Sequence, residues 1–437
     1  MICLLNCDLM YILLHYTKYI TYTTYITLIN SQRCLRYMYI STWSRPFVKA
    51  SVITLFIGTS LGSIYMLVLS GLSIPIPALL PLHREIQTSA VTLLIMGVMY
   101  MLVPRIRSIR FEYIDAAKVS LLLMLSSLVA YPFILWSAYT LPIMHTLRIS
   151  GLSLFASVII SMLRVAPRSG KLADYYFILA LVMLLAYNSI LVLDVTIHAL
   201  NRVYIWLSSM IFVILGVQYK VVPVFLNNPR PMQPYDSIAF ILAVVSALLL
   251  LFFDILYASI TLIALALVYA YSIYIMRAYR IPDFLINSDS ADTHEKVARI
   301  RYLLMLLRIS YMMLTIGVCI ALLYSITPVF ALYDLAIHMV TMGFIGVTIM
   351  NFMPIMLPPI LGRNINYVRF NGIPLLLLLA AIGVRILWNT LPLVIDIDRI
   401  VLGVSGMITI VAMLLYIRMI HRAMDPSIDL RFDGLRR

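Results

Sequence analysis

The chain has 437 residues, of which 63% are hydrophobic and only 11% are charged. Soluble domains carry roughly 25% charged residues, so this composition excludes a water-soluble globule and indicates a protein surrounded by a lipid bilayer. The net charge of +14 fits either nucleic acid or anionic lipid as a partner, and only the positions of the basic residues decide between them.

We predict that the first 44 residues form a leader and not a membrane helix. The stretch YITYTTYITLI at 19–29 is rich in Tyr and Thr, which favour strands over helices. It lacks a small-residue cleavage site, so it makes a poor signal peptide. We interpret residues 1–44 as a flexible leader, or as the product of an upstream start with Met38 as the true beginning. An extra helix that places the N-terminus outside is the alternative.

Residues 45–422 are predicted to form a membrane domain of twelve helices. Spanning a bilayer takes about 20 mostly apolar residues, and a tight hairpin is expected at Asp254 between two adjacent apolar runs. The predicted fold class is an all-α polytopic helix bundle, followed by a cytoplasmic tail at 423–437. The predicted spans are 47–70, 86–104, 116–139, 143–166, 173–194, 200–226, 236–254, 255–275, 302–325, 332–357, 372–392 and 397–421.

The basic residues alternate with the predicted helices and define the topology. The N-terminal flank, the gaps after helices 2, 4, 6, 8 and 10 and the tail hold 26 of the 32 lysines and arginines. By the positive-inside rule these segments face the cytoplasm, which predicts a multi-pass plasma-membrane protein with both ends of the helical body inside. The charge therefore reflects topology and not nucleic acid. The outer side retains Arg84, Arg148, Arg202, Arg385 and Arg399.

Four predicted helices, the second, fourth, sixth and tenth, share a histidine that is followed 20 to 25 residues later by a proline. This spacing is about one membrane thickness, and all four helices run inward, so the histidines share one outer level. Helix ends tolerate polar residues at the interface, but imidazoles on facing helices also ligate haem iron or copper. The four are His83, His145, His198 and His338.

His338 is the strongest candidate ligand, because it lies inside its predicted helix, where an unpaired polar group is costly. Gly343 and Gly346 follow it. Small residues at this place favour either plain helix packing or the close approach of a flat macrocycle.

Arg385 is predicted in the outer half of helix 11, where a cation requires an anionic partner or a water-filled cavity. Haem propionates are such partners, and Arg148 and Arg202, each about a turn after a histidine, are further candidates. The alternatives are snorkelling to the interface and pairing with Asp396 or Asp398. No acidic relay is recognisable at mid-membrane, which argues against a proton-coupled pump.

Several stretches resemble the NnrS family, twelve-helix haem- and copper-containing membrane proteins linked to nitric oxide metabolism and nitrosative stress. RPFVKASVITLFIG at 45–58 resembles the family's opening to helix 1, KVVPVFLNN at 220–228 its turn after helix 6, and AAIGVRIL at 380–387 its helix 11 with the family's arginine at Arg385. More distantly the chain resembles subunit I of the haem-copper oxidases. The helix 10 signature at 337–350 and 361–363 matches at His338, Thr341, Gly343, Gly346, Gly362 and Arg363.

The chain departs from the family pattern at four places. The paired histidines that open helix 2 are reduced to His83 in LHREI, which keeps Glu85, and the family's histidine after helix 10 is missing from PILGR. The helix 9 histidine is missing from LLRISYMM, and the family's Gly-Gly-Arg reads Gln218-Tyr219-Lys220. The missing residues weaken the expectation of bound metal more than they weaken the expected fold. The chain could therefore be a family member with one haem or with none.

The resemblance implies a b-type haem, and less directly copper, in nitric oxide-related stress or respiratory electron transfer. It implies His338 and His83 as axial ligands, His198 and His145 as copper ligands or a second haem site, and Arg385 beside a haem propionate.

Two other classes of function remain open. The missing histidines favour a non-enzymatic anchor subunit of a respiratory cytochrome complex, whose partner would be an exported haem protein. A solute transporter would show interrupted helices with polar residues at mid-depth, for which Pro132 and Asn188 are the only signs.

Overall fold

The computed structural model describes residues 43–68, 79–107, 109, 111–131, 133, 140–165, 171–225, 231–275, 291–353, 372–390 and 400–423. Within these ranges the chain forms helices and no strands, which confirms the predicted all-α class. The leader before residue 43 and the tail after 423 lie outside them. The helices are α1 (Trp43–Val68), α2 (Leu79–Arg107), α3 (Ile114–Ala130), α4 (Thr140–Val165), α5 (Lys171–Val192), α6 (Ala199–Phe225), α7 (Tyr235–Phe252), α8 (Ile255–Ser272), α9 (Ala291–Ile326), α10 (Phe330–Met353), α11 (Ile373–Thr390) and α12 (Ile400–Ala423).

Eleven of these described helices are long and apolar enough to cross a bilayer. The exception, α3, is apolar but has only 17 residues. Large apolar side chains such as Leu122, Ile241 and Leu376 point outward and are more than half exposed, as expected where the surrounding solvent is lipid. The chain is therefore a multi-pass membrane protein.

Each predicted span overlaps one observed helix, but some boundaries differ. α9 begins at Ala291, not at residue 302, because the segment ADTHEKVARIR is rich in good helix formers. The predicted spans leave this stretch in the gap between helices 8 and 9. α2 begins at Leu79, seven residues before its predicted start at 86, and Pro132, predicted inside the third helix, lies outside the described residues.

Sequence neighbours pack as hairpins along the chain. The most extensive contacts join α5 to α6, α7 to α8, α3 to α4 and α11 to α12. Only Phe253 and Asp254 separate α7 from α8, which confirms the tight hairpin predicted at Asp254. With such short turns, alternate helices must begin at the same end of the bundle.

Helices α2, α6 and α10 form the centre of the described bundle. The share of buried residues in their most apolar windows is 72%, 83% and 67%, against 28% in α1 and α12. Tyr204 of α6 reinforces this centre, because its hydroxyl lies 3.2 Å from the backbone oxygens of Gly317 in α9 and Ala336 in α10. Two of these central helices thus contain His83 and His338, and the third begins directly after His198.

Candidate functional site

Asp334 anchors a polar cluster at the end of the bundle where α10 begins. Its carboxylate is buried, with 3% exposure, and accepts hydrogen bonds from Arg385 Nη1 at 2.6 and 2.8 Å and from Asn389 Nδ2 at 3.0 Å. The two donors lie one turn apart on α11. Arg385 therefore has its anionic partner within the chain, on α10, whereas the predicted partners Asp396 and Asp398 lie outside the described residues.

His338 lies on the same face of α10, one turn after Asp334. Its Nδ1 is 2.7 Å from the Asp334 backbone oxygen, 3.1 Å from the Asp334 carboxylate and 3.4 Å from Arg385 Nη1. A π-helical segment, Met339–Gly346, begins directly after it. Such segments are rare and occur frequently at functional sites.

His83 approaches this cluster from α2. Its Nδ1 lies 2.6 Å from the backbone oxygen of Gly58 in α1, and the ring rests on Gly62, where an added Cβ would come within 2.5 Å of it. His83 is within electrostatic range of His338 and Arg385. The structure therefore brings together three residues that the sequence analysis grouped, from three different helices.

The hydrogen bonds of His83 and His338 determine which ring nitrogen keeps a lone pair for a ligand. A backbone carbonyl oxygen only accepts, so Nδ1 of each ring must carry the proton and donate it. Nε2 then keeps its lone pair. Histidines that bind metal almost always hold their second nitrogen in this way, which orients the ring and raises its basicity.

His145 and Arg148 belong to a second cluster, between α2 and α4. Arg148 Nη1 pairs with Glu85 of α2, and Arg148 Nη2 lies 3.0 Å from His145 Nδ1. Because arginine only donates, Nδ1 of His145 is the acceptor and Nε2 carries the proton. This arrangement favours His83 and His338 over His145 as metal ligands.

His198 and Arg202 lie where α6 begins, and His198 precedes the helix. The His198 ring is exposed and packs against Tyr324 at 5.7 Å between ring centroids. Arg202 has a buried Nε without a hydrogen-bond partner. Among the described residues, no three His, Cys, Asp or Glu side chains come together as a group that could hold a metal ion.

Gly343 and Gly346 contact neighbouring helices. A Cβ at Gly343 would lie 2.6 Å from Met313 Cβ of α9, so this glycine permits close helix packing. Gly346 makes only ordinary contact with Leu378 of α11. Helix packing therefore accounts for the contacts of both glycines, without the close approach of a macrocycle.

Two of the departures from the expected pattern meet in the core. Tyr311, in the α9 segment that lacks a histidine, donates a hydrogen bond to Gln218 Oε1 of α6 at 2.5 Å. The Tyr311 ring stacks on Tyr269 and meets Phe344 edge-on. Aromatic side chains fill this part of the interior.

Sequence reasoning missed Asp334 and the role of Glu85. Asp334 precedes His338 by four residues, which places both on one helix face, and this spacing was a usable signal. The partner of Glu85 is Arg148 on α4, 63 residues away in the sequence, and no local sequence pattern predicts this pairing. Asp334, Asp174 and Asp236 are all buried near the starts of their helices, so none of the three lies at mid-depth.

A model of the NnrS protein family matches residues 114–424, from the start of α3 to the end of α12. The match includes His145, His198, His338 and Arg385, whereas α1 and α2, with His83, precede it. No curated protein matches the chain significantly.

Proposed function

The chain belongs to the NnrS family, and we propose that it is a b-type haem protein of the plasma membrane in nitric oxide-related stress or respiratory electron transfer. The observation that supports this function is the pair His83 and His338. They come from two central helices, lie within electrostatic range of each other and each has Nδ1 tied to a carbonyl oxygen.

The donor set fits a haem. His83 and His338 would hold the iron through Nε2, and Asp334 and Gly58 keep the two rings oriented. A haem held by these residues would supply an iron for electron transfer or for binding a diatomic gas. The burial of Asp334 and Arg385 keeps water from the side of the site formed by α10 and α11.

One haem fits the described core better than two. The α9 segment that lacks the family's histidine carries Tyr311, whose hydroxyl donates a hydrogen bond to Gln218 Oε1 and packs in an aromatic part of the core. A copper ion would depend on His145 and His198, of which one accepts from Arg148 and the other is exposed. We therefore propose haem as the main cofactor and copper only as a second, less supported one.

The visible spectrum of the detergent-purified protein tests the proposal. We expect a Soret band in the wild type, its loss or shift in His83→Ala and His338→Ala, and an unchanged band in His198→Ala, the exposed control. Haem and copper analysis of the same samples gives the stoichiometry. A wild type without a Soret band, or a His338→Ala variant with an unchanged one, would refute the haem assignment.

The anchor-subunit alternative is favoured by the family histidines that are missing from helix 9 and from the segment after helix 10. It predicts that the protein copurifies with an exported cytochrome and has no haem of its own. Copurification together with a colourless isolated protein would replace the leading proposal with this one.

A further inference from the structure

An apolar cavity lies inside the bundle between α2, α4, α5 and α6, near the middle of each helix. Its lining includes Met99 of α2, Phe155 of α4, Leu184 of α5 and Met210 of α6. All of the lining residues except Ile95 are buried. A lipid chain therefore cannot enter the space without displacing helix side chains, and the space is large enough only for a small molecule.

The lining of the apolar cavity offers nothing that would hold water. Of the lining residues only Ser209 is polar, and its hydroxyl already donates a hydrogen bond to the Trp206 backbone oxygen at 2.7 Å. A buried water needs about two to four polar partners, and cavities lined by apolar side chains stay dry but accept xenon or small hydrocarbons. The chemistry of the cavity therefore excludes ions and polar ligands and favours an apolar one.

A second, polar cavity shows the contrast. It lies between the same four helices, about one helical turn nearer to the histidine cluster, and it is narrower. Arg148 Nε and Asn188 Oδ1 belong to its lining, and both atoms are buried without a hydrogen-bond partner among the described residues. Trp206 also lines it, with Nε1 at 3.4 Å from Thr92 Oγ1. Polar groups are thus concentrated in the polar cavity and are absent from the lining of the apolar one.

We propose that the apolar cavity binds one small uncharged molecule of the chemical class of the diatomic gases. The bilayer is the source of this ligand, because apolar solutes favour hydrocarbon over water and the cavity lies at mid-depth of the spanning helices. This binding site goes beyond the proposed function. It does not depend on haem, because none of the residues that line the cavity is a histidine.

Dissolved dioxygen tests the site directly, because its unpaired electrons accelerate the NMR relaxation of nearby methyl groups. Detergent-purified protein with isotope-labelled methionine methyl groups is compared under oxygen and under nitrogen. Met99 and Met210 line the apolar cavity, whereas Met96 of α2 and Met183 of α5 are equally buried at a similar depth outside its lining. We expect oxygen to accelerate relaxation more at the first pair than at the second.

Two matched substitutions on α6 connect this excess relaxation to the cavity. Val213→Ile adds a methyl group to the cavity lining. Val217→Ile makes the same change one turn further along the helix, at an equally buried position outside the lining. We expect the excess at Met99 and Met210 to be lost in Val213→Ile and retained in Val217→Ile. Xenon, which is apolar and has no unpaired electrons, should compete with oxygen and remove the excess from the wild type.

The outcomes separate this site from the proposed haem. Equal relaxation of the two methionine pairs in the wild type would overturn the inference, and so would an excess that survives Val213→Ile or saturation with xenon. If Val213→Ile does not fold, the wild-type comparison and the xenon competition decide. A colourless protein that shows the excess would refute the haem proposal and leave the gas site standing, whereas a haem protein without the excess would do the reverse.

Discussion

Asp334 contacts three polar side chains at the end of the bundle where α10 begins. It compensates the charge of Arg385, accepts from Asn389 and contacts His338. Removing one partner of a buried ion pair leaves the other charge unpaired, which costs about 3–5 kcal/mol. We expect Asp334→Asn to lower the free energy of unfolding by this amount in detergent, measured by chemical denaturation.

The matched control for this substitution is Asp115→Asn. Asp115 pairs with Lys118 on the exposed face of α3, where an ion pair contributes about 0–1 kcal/mol. If the two variants lost the same stability, the cluster around Asp334 would have no special role. The double variant Asp334→Leu/Arg385→Met should recover part of the loss, because it leaves no unpaired charge.

Residue-level reasoning reached only part of this site. The sequence alone identified His338 and Arg385 as candidate site residues, because polar side chains are rare inside apolar membrane helices and cost free energy there. Their partners could not be identified in the same way, because a helix sequence shows which face of the helix a residue occupies but not which other helix packs against that face. The propionate role of Arg385 therefore remains a proposal beside its observed pairing with Asp334.

At the scale of helices, the contact between α1 and α2 holds the ring of His83. The absence of a side chain at Gly62 makes room for the imidazole, and an alanine Cβ would come within 2.5 Å of Cε1 and 2.6 Å of Nδ1. We expect Gly62→Ala to displace the ring, break its bond to Gly58 and lower the free energy of unfolding by about 1–3 kcal/mol.

Gly383 of α11 provides the control for this substitution, because nothing lies within 4 Å of a Cβ added there. Alanine is the better helix former by about 1 kcal/mol, so Gly383→Ala should be neutral or stabilising. The comparison uses the same chemical denaturation assay and, where haem is present, the position of the Soret band. Equal stabilities of the two variants would contradict a positioning role for Gly62.

Helix positions followed from the sequence better than helix geometry did. Apolar stretches of bilayer length mark where helices lie, and the two-residue turn at Asp254 was visible between two such runs. The π-helical segment after His338 was not predicted, because the same residues suit an α-helix and the choice between the two depends on packing. Its contacts are tertiary, such as Gly343 against Met313 of α9.

At the scale of the whole molecule, the family match begins at residue 114, yet the site combines residues on both sides of that boundary. Glu85 on α2 pairs with Arg148 of α4, and His83 on α2 lies within electrostatic range of His338 of α10. The centre of the bundle therefore requires α2 to pack among the family's helices, which its 72% buried window reflects.

The orientation of the molecule in the membrane is the last prediction. The basic flanks place the turns at Asp194 and Asp254 outside and the segment between α6 and α7 inside, which puts the histidine cluster on the outer side. Single cysteines at Asp194, Asp254 and Met232, in a background without the four native cysteines, would be treated in intact cells with a membrane-impermeant maleimide. We expect labelling at the first two positions only, and labelling of Met232 only after the cells are opened. The reverse pattern would place the cluster on the cytoplasmic side, and an exported cytochrome could then no longer exchange electrons with it directly.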